Sequence, residues 1–271
     1  MSEEAKKIVR KYRMRNVLYF LYAFGIMILF LVNPADYYTY EWPWFEYNIY
    51  TIICLIALIA LEIIGALVYH YFELKFCEIV NEKCDPFLFE ECLGKMKLQH
   101  LSKNVYYYNM ANLYMYQGAY DTAWEWLMKI KASSLRGPVR ENYYVVKCAL
   151  LYEFKMIDQI NAVESEARQG IRNQKDEAVM NRIYAQNNFY RAYLNKDYEA
   201  AYQFLADVFK YVGPVKYMIQ KIYFTYWTGV LDREMGNIIS AKANFRFVIE
   251  NGNKLKCAEY AKQMLEELET E

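Results

Sequence analysis

The sequence predicts an all-α protein in which an N-terminal transmembrane helical hairpin precedes an α-solenoid of helix pairs. Three observations lead to this fold class. The 271 residues include only 10 Gly and 5 Pro, too few for a turn-rich all-β protein. Two long apolar runs lie in the first quarter of the chain. Beyond them, helical periodicity alternates with short turns.

The composition excludes several classes of protein. Lys and Arg number 32, and Asp and Glu also number 32, so the chain lacks the basic excess that non-specific nucleic-acid binding requires. Hydrophobic residues make up 56% of the chain, which is incompatible with intrinsic disorder. Only 2 His are present, which argues against a His-rich metal centre and against a hydrolytic triad, since both need histidine side chains.

The two apolar runs are the predicted membrane spans, at about 17–34 and 48–71. Residues 17–32 contain no charged side chain, and residues 49–71 contain a single carboxylate, Glu62. A helix rises about 1.5 Å per residue and a bilayer core is about 30 Å thick, so both runs are long enough when flanking residues or tilt are included. We therefore interpret residues 1–71 as a basic N-terminus and a transmembrane hairpin.

The flanking charges predict the orientation of this hairpin. Six Lys and Arg residues precede the first span, none lies in the loop between the spans, and Lys75 and Lys83 follow the second. The positive-inside rule then places both termini in the cytoplasm and the aromatic-rich loop outside. A cleaved signal peptide is the alternative, but residues after Val32 offer no typical cleavage site. We expect a two-span protein of a bacterial plasma membrane, since no organelle signal is present.

Glu62 is the most unusual residue of the predicted spans, because a carboxylate inside a bilayer is costly and often functional. Gly65 shares its helical face and would let the first span pack closely. At matching depth, Tyr22 is the best hydrogen-bond partner. Two interpretations remain open. Glu62 holds the two spans of the hairpin together, or it takes part in transport or in an oligomer contact.

Residues 72–103 read as a linker helix and a leading helix. The second span continues past residue 71, and Asp85-Pro86 then restarts a helix that extends to about residue 101. Asp is a favourable N-cap and Pro suits the first helical position.

The remaining residues, 104–271, form the predicted repeat domain. Its helix pairs are 104–117 with 120–134, 139–155 with 158–171, 176–194 with 198–211, and 214–235 with 237–251, followed by a terminal capping helix at 254–269.

The segment NMANLYMYQGAYDTAWEWL of the first pair resembles a tetratricopeptide repeat. The small, aromatic, turn and large positions of that family are filled at the family spacing by Ala111, Tyr114, Gly118, Tyr120, Ala123 and Leu127. The last pair is similar, with Gly229, Gly236, Ala241 and Phe245 in corresponding places. It departs from the pattern at Asp232, where an aromatic is usual. In the third pair Lys196 replaces the turn glycine, and the second pair is degenerate.

The resemblance implies a concave groove, lined by the first helix of each pair, that binds a protein or peptide partner. Mapped onto this chain, the groove consists of Tyr108, Asn112, Met115, Tyr116, Tyr143, Lys147, Asn187, Tyr190, Tyr226, Trp227 and Arg233. Aromatic and Arg side chains are frequent interface anchors. We therefore expect a membrane-anchored adaptor or scaffold with a Tyr-rich groove on the cytoplasmic side. The alternative is a docking or regulatory subunit of a transport or envelope-assembly complex in which the hairpin and Glu62 take part.

The sequence predicts neither enzymatic activity nor a cofactor, a metal site or a small-molecule substrate. It contains no Gly-rich nucleotide loop, nucleophile elbow or zinc-protease motif. Cys77, Cys84, Cys92 and His100 do not have the spacing of a common zinc site. We expect the cysteines to be free thiols, most of them packed as small apolar residues.

Overall fold

The computed structural model describes residues 1–31, 56, 59–60, 62–65, 67, 76–96, 103–135, 137–169 and 174–270. These residues are helical or lie in turns, and no strand occurs among them, so the predicted all-α class is confirmed for this part of the chain. The chain divides into two compact units. The first comprises Met1–Glu78 with Gly94–Met96, and the second comprises Ile79–Leu93 with Lys97–Glu271.

The first unit is built on a long helix, α1 (Glu3–Leu31). Ser2 caps its start, with Oγ accepting a hydrogen bond of 3.2 Å from the N–H of Ala5. Parts of the predicted second span, residues 56, 59–60, 62–65 and 67, are also helical. The rest of that span and the predicted outer loop lie outside the described residues. A Cβ built on Gly65 would lie 3.2 Å from Cε1 of Tyr22, so this glycine allows the predicted close packing of the tyrosine ring.

Across the described residues, no helix combines the length and the apolar character needed to cross a membrane. The transmembrane hairpin at 17–34 and 48–71 therefore stays a prediction.

The helices beyond the hairpin lie close to their predicted positions. The Asp85 side chain caps α2 (Pro86–Met96) by accepting a hydrogen bond of 2.9 Å from the N–H of Leu88, as the Asp85-Pro86 pair predicts. The helix pairs of the second unit are α3 (Lys103–Gln117) with α4 (Tyr120–Met128), α5 (Gly137–Glu153) with α6 (Ile157–Gln169), α7 (Gln174–Leu194) with α8 (Tyr198–Val212), and α9 (Met218–Glu234) with α10 (Ile238–Asn251), followed by α11 (Lys256–Thr270).

Two predicted helix boundaries are wrong, each for a local reason. Helix α4 ends at Met128 rather than 134, and a short 3₁₀ helix, Ala132–Ser134, follows it. The serines there favour turns over helix interior. Helix α9 begins at Met218 rather than 214. The Gln220 side-chain oxygen accepts hydrogen bonds from the N–H groups of Lys216 and Tyr217, which fixes the start of the helix at this point.

The turns within the four helix pairs share one backbone motif. Each contains a single residue with positive φ: Gly118 at 78°, Lys155 at 57°, Lys196 at 59° and Gly236 at 79°. In every case the next N–H returns to the carbonyl of the residue five positions earlier, as Asp197 does to Ala192 at 2.9 Å. This is the hydrogen-bonding pattern of a Schellman helix end. The motif recurs about every 40 residues, the period of a helical-hairpin repeat, so Lys196 occupies the turn-glycine position as the sequence comparison suggests.

Replacing Lys196 with Gly should raise the free energy of unfolding of the second unit by about 1 kcal/mol, because a Cβ disfavours the left-handed conformation. Urea unfolding followed by circular dichroism would measure the change. Lys196→Ala keeps the Cβ and serves as the control, since it should bring no comparable gain. Equal stabilisation by both substitutions would show that the left-handed backbone is not the cause.

Small residues bring the two helices of a pair into close contact. Ala111, Ala123 and Leu127 are fully buried, as the repeat pattern predicts. In the last pair, a Cβ added to Gly229 would lie only 2.9 Å from Cε1 of Phe245, so only glycine fits without a shift of the ring.

Asp232, the departure from the repeat pattern, joins the same two helices by hydrogen bonds. Its carboxylate is buried and accepts from Ser240 Oγ at 2.6 Å and from Asn244 Nδ2 at 2.9 Å. The residue thus replaces apolar contact across the α9–α10 crossing with two charge-assisted hydrogen bonds.

The helix pairs of the second unit close on themselves. Helix α11 packs against α10 and α9, but also against α3, the first helix of the first pair. The Lys256 side chain covers Gly118, where an added Cβ would lie 2.5 Å from its Cγ. The predicted terminal capping helix therefore also covers part of the first helix pair.

Residues 79–93, which span the end of the predicted linker helix and the start of the predicted leading helix, complete this closure. Asn253 Nδ2 donates to the carbonyl of Lys83 at 2.7 Å, and Lys254 Nζ pairs with Asp85 at 2.6 Å. The predicted segment 72–103 of linker helix and leading helix is therefore divided, with 79–93 belonging to the helix-pair unit. A contact between segments 170 residues apart cannot be deduced from local periodicity.

Candidate functional site

The inner surface of the second unit surrounds a cavity of about 390 Å³. This volume falls within the range of small-ligand sites. The wall is formed mainly by α5, α7 and α9, the first helices of three pairs, with further side chains from α3, α4, α8 and α11. The polar and aromatic lining residues are Tyr116, Tyr120, Tyr152, Glu153, Arg182, Gln186, Phe189, Tyr190, Tyr193, Gln220, Tyr223, Phe224, Tyr226, Trp227, Lys256 and Tyr260.

Trp227 is the centre of the aromatic wall. Its ring centroid lies 5.0 Å from that of Phe189 and 5.9 Å from that of Tyr152, both in edge-to-face geometry. Tyr152 stacks on Tyr190 with a centroid distance of 4.2 Å. Such pairs stabilise a packed wall beyond their buried area, so this side of the cavity is built from mutually supported rings on three helices.

Five of the eleven predicted groove residues line the cavity: Met115, Tyr116, Tyr190, Tyr226 and Trp227. They come from three of the four first helices, α3, α7 and α9. These five positions therefore face the same cavity, and their role in binding a partner stays a prediction.

The other predicted groove residues do not line the cavity. Lys147 Nζ pairs with Glu166 at 2.8 Å, and Asn187 Nδ2 donates to Glu164 at 2.7 Å, so both contact the second helix α6. Arg233 pairs with Glu234 and with Glu267 of α11. Tyr143 is buried in the core between the helices. Tyr108 and Asn112 lie together on α3, outside the cavity lining.

Arg182 is the cavity residue with the least satisfied polar side chain. One terminal nitrogen, Nη1, donates to Asn142 Oδ1 at 3.2 Å, while the buried Nε has no hydrogen-bond partner among the described residues. No carboxylate in the described part of the chain lies within ion-pair distance of the guanidinium. Burial lowers the pKa of Arg182, and the nearby Glu141 opposes this effect only partly.

Glu153 is the acidic residue of the cavity lining. The residue is exposed to solvent, yet desolvation by the neighbouring wall raises the pKa of its carboxyl to about 7. Burial raises the pKa of Tyr120, Tyr152 and Tyr226 on three different helices, and the Glu153 charge adds to this increase. The cavity thus has an acidic side near these tyrosines.

The raised pKa of Glu153 makes the stability of the second unit depend on pH. A carboxyl with a folded-state pKa near 7 and an ordinary unfolded value near 4.5 contributes its stability fully below the unfolded value, and this stability is lost as pH rises through 7. Glu153→Gln should therefore flatten the fall in Tm between pH 5 and pH 8, which a series of thermal melts would measure.

The matched control for this titration is Glu125→Gln, at an exposed position on α4. It should leave the pH profile of the natural chain unchanged. A Glu153→Gln profile that coincides with that of the natural chain would contradict the desolvation of this carboxyl.

Sequence reasoning missed much of the cavity, including Tyr152, Glu153, Arg182, Gln186 and Tyr223. Some of these residues could have been found from the sequence, because Arg182, Gln186 and Tyr193 recur at helical spacing and so share one face of α7. The family pattern instead predicts Asn187 and Tyr190 on α7; Tyr190 lines the cavity, whereas Asn187 donates to Glu164 of α6.

The predicted intramembrane pair, Tyr22 and Glu62, lies in the first unit. The Tyr22 ring packs on Gly65, one turn from Glu62. Glu62 is exposed and forms no hydrogen bond or ion pair within the described residues.

Possible metal ligands do not cluster in the described residues, where no group of three or more His, Cys, Asp and Glu side chains is arranged to hold an ion. Cys84, Cys92, Cys148 and Cys257 are buried, and Cys77 is exposed. His100 lies outside the described residues.

Comparisons with known proteins do not assign this chain to a family. No family model, no curated protein and no solved structure matches it.

Proposed function

We propose that the protein is a membrane-anchored adaptor of the tetratricopeptide-like kind, which binds a protein partner at the tyrosine-rich inner surface of its helix-pair unit. Binding at a membrane would raise the effective concentration of the partner near other membrane components. The proposed orientation places the termini and the helix-pair unit in the cytoplasm of a bacterial cell.

The main support for the anchor is the exposure of large apolar side chains in the first unit. Phe20 is 69% exposed, Leu21 58% and Leu67 64%. Isolated exposed apolar residues are ordinary, but a concentration of them within two helical segments is typical of a surface that faces lipid or another protein. The basic residues that precede these side chains on α1 fit a cytoplasmic start of the span.

The observation that carries the proposed binding role is the convergence of the first helices on one aromatic surface. Tyr116, Tyr190 and Trp227 come from three helix pairs and line the same cavity. Rigid aromatic side chains at the centre of a concave surface are frequent hot spots of protein interfaces.

Site-specific photocrosslinking in the native cell tests this role. A photoreactive amino acid replaces Met115, which lines the cavity, in the full chain, and a matched control replaces the exposed Tyr202 of α8. The proposal predicts one discrete adduct from position 115 that is absent from position 202. Equal adducts from both positions, or none from position 115, would argue against a partner at the inner surface.

The alternative role, as a subunit of a transport or envelope-assembly complex, is favoured by Glu62, an exposed carboxylate within a predicted span. An exchange of residues 1–71 for an unrelated two-span anchor separates the two proposals. The adaptor proposal predicts that cellular function survives the exchange, whereas the alternative predicts that it is lost. Glu62→Gln in the natural hairpin should then reproduce the loss.

A further inference from the structure

The Arg182 side chain is partly buried, and its guanidinium has an incomplete set of partners among the described residues. Its Nε lacks a hydrogen bond within the described residues, and the Asn142 amide oxygen is a neutral acceptor. The neighbouring Arg191 on the same helix is different, because it pairs with Glu164 at 3.0 Å and also donates to Asn161 and Asn188. Burial of a cation without a counter-ion destabilises a fold, so the environment of Arg182 is suited to an anion from outside the chain.

The wall around Arg182 supplies contacts for an apolar molecule. Val145, Val146 and Ala149 of α5 and Phe189 of α7 line the same cavity as the guanidinium. Gln186, one turn further along α7, has its amide nitrogen occupied by the carbonyl of Val145 at 3.1 Å. A ligand in this space would therefore meet one unsatisfied cation and an otherwise largely apolar and aromatic surface.

Three charged residues line the cavity, and one of them, Lys256, pairs with Glu259. Burial raises the pKa of the tyrosines near the other two. The Arg182 charge opposes this increase at Tyr108 and Tyr116, whereas the Glu153 charge adds to it at Tyr120, Tyr152 and Tyr226. Arg182 and Glu153 lie on different helices, α7 and α5, and no ion pair joins them among the described residues. The guanidinium is therefore not neutralised by the acidic residue of the same cavity.

We propose that the cavity binds a small amphipathic carboxylate, with its acid group paired to Arg182 and its apolar body against the aromatic wall. A carboxylate matches the planar donor geometry of a guanidinium. The cavity volume of about 390 Å³ accommodates a small molecule. This inference goes beyond the proposed function, because it concerns a small ligand rather than the protein partner.

Isothermal titration calorimetry on the purified full chain tests the inference with probes that share one apolar body. The probes are 4-phenylbutanoate and 4-phenylbutan-1-ol, each corrected for heat in protein-free solution of the same detergent. We expect the acid to bind with a stoichiometry of one and at least about tenfold more tightly than the alcohol, since hydrogen bonds to charged groups exceed neutral ones by this order. An acid that binds no more tightly than the alcohol, or does not bind at all, overturns the proposal.

Two variants assign the acid preference to this site. Arg182→Met should reduce the affinity for the acid to that for the alcohol, and Ala149→Leu should weaken both probes by filling the cavity. The control is Arg246→Met, because Arg246 is an exposed arginine paired with Glu269 on the surface. Unchanged acid preference in Arg182→Met, or its loss in Arg246→Met, contradicts the assignment.

Even if Arg182→Met does not fold, the affinities of the natural chain for the acid and the alcohol still test the small-ligand inference. The calorimetric result is also independent of the cellular crosslinking experiment. Either the small-ligand inference or the adaptor proposal can therefore fail alone.

Discussion

Phe245→Ala should lower the free energy of unfolding of the helix-pair unit by about 3 to 5 kcal/mol, the usual cost of deleting a fully buried aromatic side chain. Phe245 is 0% exposed and fills the space directly beneath Gly229. Neighbouring groups cannot collapse into the vacated volume, because the Asp232 carboxylate holds α10 through Ser240 and Asn244. Urea unfolding of the full chain followed by far-ultraviolet circular dichroism would measure the loss.

Phe247→Ala provides the matched control on the same helix. Phe247 is only partly buried, and the Lys221 ammonium lies 4.7 Å from its ring centroid. Its replacement should cost about 1 kcal/mol, through the loss of partial burial and a cation–π contact. Equal effects of the two substitutions would show that the Gly229–Phe245 contact is not a centre of the core.

Phe24→Lys should reduce the fraction of the protein that integrates into membranes. Phe24 lies near the middle of the predicted span 17–34 and is 47% exposed on α1. A lysine at the centre of a membrane-spanning helix costs about 2.5 to 3.5 kcal/mol on insertion scales, enough to change the inserted fraction substantially. Quantification of the chain that sediments with membranes after alkaline extraction would measure the effect.

The control for the membrane prediction is Glu4→Lys in the exposed first turn of the same helix. It adds positive charge on the predicted cytoplasmic side and should leave integration unchanged. If Phe24→Lys and Glu4→Lys both leave the membrane-bound fraction as it is, the exposed apolar residues of α1 do not face lipid.

The helix pairs could be predicted from the sequence because their signals are local. Gly118 and Gly236 mark turns, and buried Ala111 and Ala123 recur where the helices cross. Lys196 could be placed by register alone, and its left-handed backbone agrees with that placement. Helix ends were less predictable where a side chain such as Gln220 decided the first residue.

The closure of the unit and the composition of the cavity depend on contacts between distant segments. The hydrogen bond from Asn253 to Lys83 and the cover of Gly118 by Lys256 have no local signature. The repeat pattern also does not fix the rotation of each helix, so Lys147 and Asn187 point to α6 instead of the cavity. The proposed role of Arg182 could not be predicted from the sequence, because it depends on which hydrogen-bond partners the folded chain leaves out.

The most direct test of the account is thiol labelling of intact cells with a membrane-impermeant maleimide. One variant carries Thr39→Cys in the predicted outer loop, another carries Ser133→Cys at an exposed position of the helix-pair unit, and native cysteines are replaced in both. The account predicts that position 39 is labelled in intact cells and that position 133 is labelled only after permeabilisation. Labelling of both positions in intact cells, or of neither until permeabilisation, would contradict a two-span anchor with a cytoplasmic helix-pair unit.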